Sequence, residues 1–220
     1  MADAAPRVTP ATAAEVIVFG GTFDPVHAGH LEVVRALRRA TSLPLLLLPA
    51  GVPGHRPVPS APAADRAAMA AIALEELGDS GVSLSRLEVD RPGPSYTVET
   101  ITEMRRRRPE RELVLALGAD AAAGLPTWRR PQDLLRQVRL LVFDRRGAVS
   151  PARQVLERLG RLGLSLPAAT AISLEVPDID ASAIRRRLAS GDVCAGLVTP
   201  RVLEYIARRG LYGYTPSPDR

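Results

Sequence analysis

"IVFGGTFDPVHAGHLEVV", residues 17–34, runs from an apolar stretch through paired glycines into a segment holding two of the chain's three histidines. A short apolar run that stops at glycine and gives way to helical periodicity is the pattern of a buried strand passing into a helix. In an open parallel sheet the carboxyl ends of the strands border the ligand crevice, and a helix starting there offers free N–H groups and partial positive charge. Gly20 and Gly21 permit close backbone approach, and Thr22 adds a hydroxyl. With a helix starting near Ala28 or Gly29, His27 and His30 project from one side of its first turn. Two imidazoles so placed can donate to phosphate oxygens or bind a metal. Zinc would need more ligands at plausible spacing, and only Asp24 is near, with His55 on a distant proline-rich loop, so a phosphate site is the favoured expectation.

Outward from this stretch, apolar runs alternate with amphipathic ones. Strands are expected at Glu15–Phe19, Leu45–Leu48, Val82–Leu87, Leu113–Leu117, Arg139–Phe143 and Ala171–Val176. Helices are expected at Leu31–Arg39, Ala63–Leu77, Thr97–Arg107, Pro131–Gln137, Pro151–Leu162, Ala181–Ala189 and Pro200–Arg208. Strands that read as continuous apolar runs are buried on both faces, which predicts an α/β fold: a doubly wound, Rossmann-like parallel sheet with helices on both faces. One domain over residues 1–213 is expected, with a C-terminal helical part from about 178 and a tail at 214–220. The proline-rich stretch 51–62, carrying His55 and Arg56, reads as a substrate lid or as a solvated loop. "RRRR" at 105–108 reads as the solvated end of a helix.

Composition narrows the function. All 29 Lys and Arg positions are arginine, and asparagine is absent, a bias of coding composition that makes the pI of about 10.2 a poor guide to partners. Without lysine there is no Schiff base and no GK[ST] phosphate loop. Cys194 is the only cysteine, so no internal disulfide forms, which fits a reducing cytoplasm. No apolar run approaches the roughly 20 residues of a membrane span, and the first residues lack the pattern of a signal peptide. Neither membrane nor nucleic acid is expected as a partner; a homo-oligomer is possible.

Further stretches carry chemistry of their own. Gly118 to Asp120 closes a strand at the crevice, where a carboxylate can accept from ribose hydroxyls. Trp128, the sole tryptophan, stands in a polar stretch where core packing and stacking on a flat heterocycle weigh equally. Ser95 is a natural helix N-cap, and free N–H groups at that helix start favour an acid over an amide ligand. Asp180 can cap the helix that follows it, yet it adds negative charge to that helix start.

"GGTFDPVHAGH" (20–30) resembles the GGxFDPxHxGH signature of the HxGH nucleotidyltransferases. "PAGVPGHRP" (49–57), "DRAAM" (65–69), "RPGPSYTVETI" (91–101), "LGADAAAGLPTW" (117–128) and "GLVTPRVLEYIARRGLYG" (196–213) resemble segments of the bacterial nicotinate-nucleotide adenylyltransferases. The resemblance covers nearly the whole chain. It implies transfer of AMP from ATP to nicotinate mononucleotide, forming deamido-NAD and pyrophosphate in NAD biosynthesis. It also implies that His27, His30 and Thr22 act on the reacting phosphates. Gly20, Gly21, His55, Arg56, Gly118, Asp120, Ser182, Ile184 and Arg185 would meet ATP, and Ser95, Tyr96, Thr97, Trp128 and Arg145 the acceptor, with Arg146 competing for the last place. Mg²⁺ is expected on the ATP phosphates rather than in a protein cage. Two departures stand out. Gly54 and Arg56 replace a proline and a lysine of the family loop, and "IDASAIR" (179–185) replaces ISSTxIR. The second keeps as rivals a nicotinamide mononucleotide, cytidylyl or pantetheine-phosphate enzyme, or a specialised pathway substrate. A non-catalytic sensor and a nucleic-acid binder are rivals of another class.

Overall fold

The computed structural model describes residues 15–54, 58–144, 151–174, 176–177 and 179–215. In chain order its elements are β1 (Glu15–Gly21), α1 (Ala28–Thr41), β2 (Leu45–Pro49), β3 (Val52–Pro53), α2 (Ala63–Leu77), β4 (Val82–Leu84), β5 (Pro94–Ser95) and α3 (Thr97–Arg107). There follow β6 (Glu112–Gly118), α4 (Ala119–Ala123), α5 (Pro131–Leu135), β7 (Arg139–Asp144), α6 (Pro151–Arg161), β8 (Ala169–Ser173), α7 (Ala181–Ala189) and α8 (Pro200–Arg209). Six strands form one sheet in the order β4-β2-β1-β6-β7-β8, and β3 and β5 make a separate two-stranded ribbon. The pairs β1–β6, β6–β7 and β7–β8 are parallel, with Val18 opposite Leu115 and Val142 opposite Ala171. Strand order reverses at β1, the arrangement of a Rossmann-like sheet, and such sheets take ligands at the carboxyl end of the strand where the reversal occurs.

The described residues fall into two compact units. The first takes residues 15–19, 35–45 and 97–174. Its strands are apolar throughout because both faces are covered: Ile17, Val18, Ala116 and Val142 have no exposed surface. Phe19 and Phe143 meet edge to face, 6.0 Å between centroids. Buried Glu15 is paired with Arg139. The arginine run closes α3: Arg105 donates to the Gln137 carbonyl at 2.8 Å, while hydrogen bonds from Arg106 and then Arg107 hold the Glu103 carboxyl down to about 2.

The second unit takes residues 20–34, 46–96 and 176–215. Alanines let α2 and α8 pack together, and Asp65 in the first turn of α2 accepts from Tyr205 Oη at 2.7 Å and Arg209 Nε at 2.9 Å. Gly78, at φ +68°, ends α2 in the left-handed conformation that favours glycine. Tyr214, where the tail was expected to begin, is buried.

Two expected strands shift. The run Ala171–Val176 gives way to β8 at Ala169–Ser173, whose register on β7 runs from Leu140 opposite Ala169 to Asp144 opposite Ser173. The run Val82–Leu87 keeps only three strand residues. After Ser85 donates to the Leu47 carbonyl, Leu87 N–H turns back to Ser85 Oγ.

Candidate active site

The histidine pair is fixed by the start of α1. His27 precedes the helix, and its carbonyl accepts from His30 N–H at 2.9 Å. In return His30 Nδ1 accepts from His27 N–H at 3.3 Å, the half of a capping box in which the side chain three residues on reaches back to the N–H before the helix, with imidazole in the place of the usual carboxylate. An accepting Nδ1 assigns the proton of neutral His30 to Nε2. The two rings stack at 3.7 Å with 30° between planes. Gly29 between them leaves little room for a side chain: a Cβ there would stand 3.1 Å from the His27 ring and 3.3 Å from Ile179 Cβ. His27 is buried, 3% exposed, and Phe23 packs edge-on to His30 at 4.9 Å. Phe23 itself sits at φ +51°, and its ring takes the space that a Cβ on Gly21 would need, at 2.8 Å.

The start of α7 belongs to the same unit, and Ile179, whose Cβ stands 3.3 Å from where a Gly29 Cβ would be, brings it beside the start of α1. Asp180 caps α7 as expected, accepting from Ser182 N–H and Ala183 N–H at 3.0 Å each. The Ser182 N–H bond is the main cause that holds its carboxyl below the ordinary range. Arg185 donates from Nη2 to Ser182 Oγ at 3.0 Å and from Nη1 to the Asp24 carbonyl at 2.7 Å. Two imidazoles and a guanidinium thus stand in one unit, nitrogen donors of a kind that suits a polyphosphate, while the N–H groups of Ser182 and Ala183 at the start of α7 are already taken by Asp180. Ile184 differs: its side chain is 1% exposed and packs in the core, and its N–H is spent on the Asp180 carbonyl.

Sequence reasoning missed the residue that ties the surrounding loops. Arg66, 1% exposed, donates to the carbonyls of Thr22 at 2.6 Å, Gly51 at 2.7 Å and Ala61 at 3.2 Å. Burial pulls its pKa down, and the charge of Asp24 works against that. The available signal was a lone arginine on the buried stripe of α2, with Ala67, Met69 and Ala70.

Ser95 is corrected. It lies in β5 rather than capping α3, which starts at Thr97, and its buried Oγ has no hydrogen-bond partner among the described residues. Its neighbours come from β3, whose Val52 and Pro53 stand opposite Pro94 and Ser95. A Cβ on Gly51 would reach 2.7 Å from Ser95 Oγ, and one on Gly54 2.7 Å from the Tyr96 ring. The departure at Gly54 therefore lets the loop lie against Tyr96.

The first unit carries the other expected residues. Gly118 ends β6, Asp120 is exposed in the first turn of α4, and Thr97 opens α3. Trp128 follows a short 3₁₀ turn, Leu125–Thr127, half-exposed rather than in the core, with its indole nitrogen 3.7 Å from where a Gly124 Cβ would be. His55, Arg56, Arg145 and Arg146 lie outside the described residues. Among the described residues no cluster of three His, Cys, Asp or Glu side chains could hold a metal ion, and no helix is long and apolar enough to cross a membrane.

Residues 18–187 match the cytidylyltransferase-like family. A protein of Thermomicrobium roseum named "Probable nicotinate-nucleotide adenylyltransferase" is 40% identical over 201 residues, covering 89% of this chain and 90% of its own. One of the same name from Sodalis glossinidius is 40% identical over 211 residues, covering 88% and 95%. Among solved structures, the nicotinic acid mononucleotide adenylyltransferase of Plasmodium falciparum complexed with NaAD superposes with a TM-score of 0.72 over 91% of this chain and 98% of that one. At 16% identity it supports the fold alone.

Proposed function

The chain belongs to the cytidylyltransferase-like family, alongside the nicotinate-nucleotide adenylyltransferases, and from that membership we propose that it transfers AMP from ATP to nicotinate mononucleotide in NAD biosynthesis. An oxygen of the acceptor's 5′-phosphate attacks the α-phosphorus of ATP. The bond from that phosphorus to the bridging oxygen breaks, and deamido-NAD and pyrophosphate form. No group of the protein is covalently modified, so its contribution is positioning and electrostatic stabilisation.

The stacked His27–His30 pair carries the proposal, because the hydrogen bond from His27 N–H to His30 Nδ1 fixes both imidazoles in the segment that follows β1. In this reading His27, His30 and the Thr22 segment hold the reacting phosphates, and Ser182 and Arg185 hold the departing pyrophosphate. Ser95, Tyr96 and Thr97 receive the pyridine carboxylate, Trp128 stacks on the ring, and Asp120 meets a ribose. The carboxylates beside these groups, Asp24 and Asp180, are occupied by protein donors, and no cluster of three possible metal ligands stands among the described residues, so Mg²⁺ would be held through the ATP phosphates and would supply charge neutralisation there. A cytoplasmic location accompanies this role.

The acceptor is tested by comparing kcat/KM for nicotinate and nicotinamide mononucleotide. At least a tenfold preference for the acid is expected, roughly one charge-assisted hydrogen bond, and equal use would contradict the Ser95–Thr97 assignment. Asp180 favours one second reading, a donor other than ATP, since its carboxylate stands at the helix start where serine stands in the family motif. Replacing ATP with CTP in the same assay separates the two.

A further inference from the structure

Asp24 is 5% exposed and stands three residues before His27. Its carboxylate is filled with donors: Oδ2 accepts from Ser60 N–H at 2.7 Å, and Oδ1 from Ala61 N–H at 3.0 Å and Tyr212 Oη at 2.7 Å. Arg185 Nη1 is 3.8 Å from Oδ2 and donates to the Asp24 carbonyl. A carboxylate so occupied is not a free metal ligand. Its hydrogen-bond donors come from two distant segments, residues 60–61 and the last turn of the described chain, which carries Tyr212.

Tyr212 reaches Asp24 from an unusual backbone. It sits at φ +59°, ψ +17°, left-handed for a bulky residue, between Gly210 and Gly213, both also at positive φ. Left-handed geometry at a non-glycine residue persists only where the surroundings hold it. Here the Leu211–Gly213 turn packs on α7, and the phenol is anchored on Asp24. Burial, then the charge of Asp24, pushes the phenol's pKa up, so it remains a donor across the working pH range.

We propose that Tyr212 is a positioning residue for the polyphosphate site: by satisfying Asp24 it keeps that carboxylate from capturing the Arg185 guanidinium. This rests on the reading that Arg185 holds the pyrophosphate. Among the described residues, Arg185 uses two of its five N–H groups within the protein, on Asp24 O and Ser182 Oγ. Loss of the Tyr212 hydroxyl leaves Asp24 Oδ1 with one donor fewer, and the Arg185 guanidinium already forms a long ion pair with Oδ2 of the same carboxylate, at 3.8 Å. Drawing it inward shortens that pair and takes the guanidinium from the phosphate.

The test is pyrophosphate binding measured by calorimetry for wild type and Tyr212→Phe, which keeps the ring. About tenfold weaker binding is expected in the variant, the scale of one hydrogen bond to a charged group. In turnover, KM for ATP should rise by a similar factor, with kcat and KM for nicotinate mononucleotide within about twofold of wild type. In an Arg185→Ala background the same substitution should change pyrophosphate affinity less than twofold, since the group it acts through is gone. Equal pyrophosphate affinity of wild type and Tyr212→Phe overturns the proposal. So does an undiminished effect without Arg185, or a parallel rise in both KM values with a lowered melting temperature. Failure of the wild type to make deamido-NAD would remove the adenylyl-transfer reading, while the pyrophosphate titrations would still decide the role of Tyr212.

Discussion

Replacing Arg66 with methionine keeps most of the side chain's length and removes three donors at once. The carbonyls of Thr22, Gly51 and Ala61 then lose a partner that reaches them at 2.6, 2.7 and 3.2 Å from a fully buried position. A hydrogen bond to a charged group contributes about 1.5–3 kcal/mol, so simple addition would exceed 4 kcal/mol. Carbonyls on loops recover part of this from water, and breaking a buried charged network costs about 3–5 kcal/mol as a whole. For a chain of this size that is a fall in Tm of roughly 6–20 °C. Urea titration of both proteins measures it directly, with the slope checked for a change in the unfolded state. Arg66→Lys should recover only part of the loss, because one ammonium cannot span three carbonyls that a planar fork does. Activity should fall with stability, since Thr22 and Gly51 belong to the loops around the histidines and Ser95. A methionine variant within about 1 kcal/mol of wild type would refute the reasoning.

Other perturbations separate the parts of the site. His30→Ala should lower kcat by about 10²–10³ with modest loss of ATP binding, the scale of one lost transition-state donor, and near-normal turnover would end its assigned role. Asp180→Ser should lower KM for ATP by about two- to fivefold, the effect of removing one exposed like charge; an unchanged or higher KM would contradict repulsion. Asp65→Asn tests linkage. Burial opposes ionisation of Asp65, but hydrogen bonds from Arg209 and Tyr205 outweigh it and lower its pKa. Its contribution is therefore present above the unfolded value of about 3.9 and lost as pH falls through the lower folded value. Urea midpoints between about pH 2 and 7 should converge for the two proteins at the acid end, and parallel curves would contradict the assignment.

Much of the fold was legible because its periods are local. α2, α3 and α7 fall at the expected residues, since capping and periodicity are set within a few turns. β8 starts two residues before the expected strand because its place is set by register on β7, with Leu140 opposite Ala169, which only pairing can show. α4 and the β3–β5 ribbon were missed because five residues carry too little periodicity for a helix, and two residues beside proline carry no strand signal.

The candidate site divides in the same way. The spacing of His27, Gly29 and His30 encodes a single helix turn, so it could be read directly, and the structure adds the bond from His27 N–H to His30 Nδ1. Arg66 with Thr22, and Tyr212 with Asp24, are separated by 44 and 188 residues, and no local pattern announces them. Ser95 was assigned to a cap by residue type alone, whereas pairing with β3 places it in a strand. The departure at Asp180 was legible as a cap, and the structure adds that both carboxylate oxygens are used.

The most direct measurement is identification of the product from ATP and nicotinate mononucleotide with Mg²⁺, by mass and together with pyrophosphate. Deamido-NAD and pyrophosphate in equal amounts, with both strongly reduced in His30→Ala, is the predicted result. Absence of deamido-NAD, with pyrophosphate released from another nucleotide and acceptor, would contradict the account at its centre.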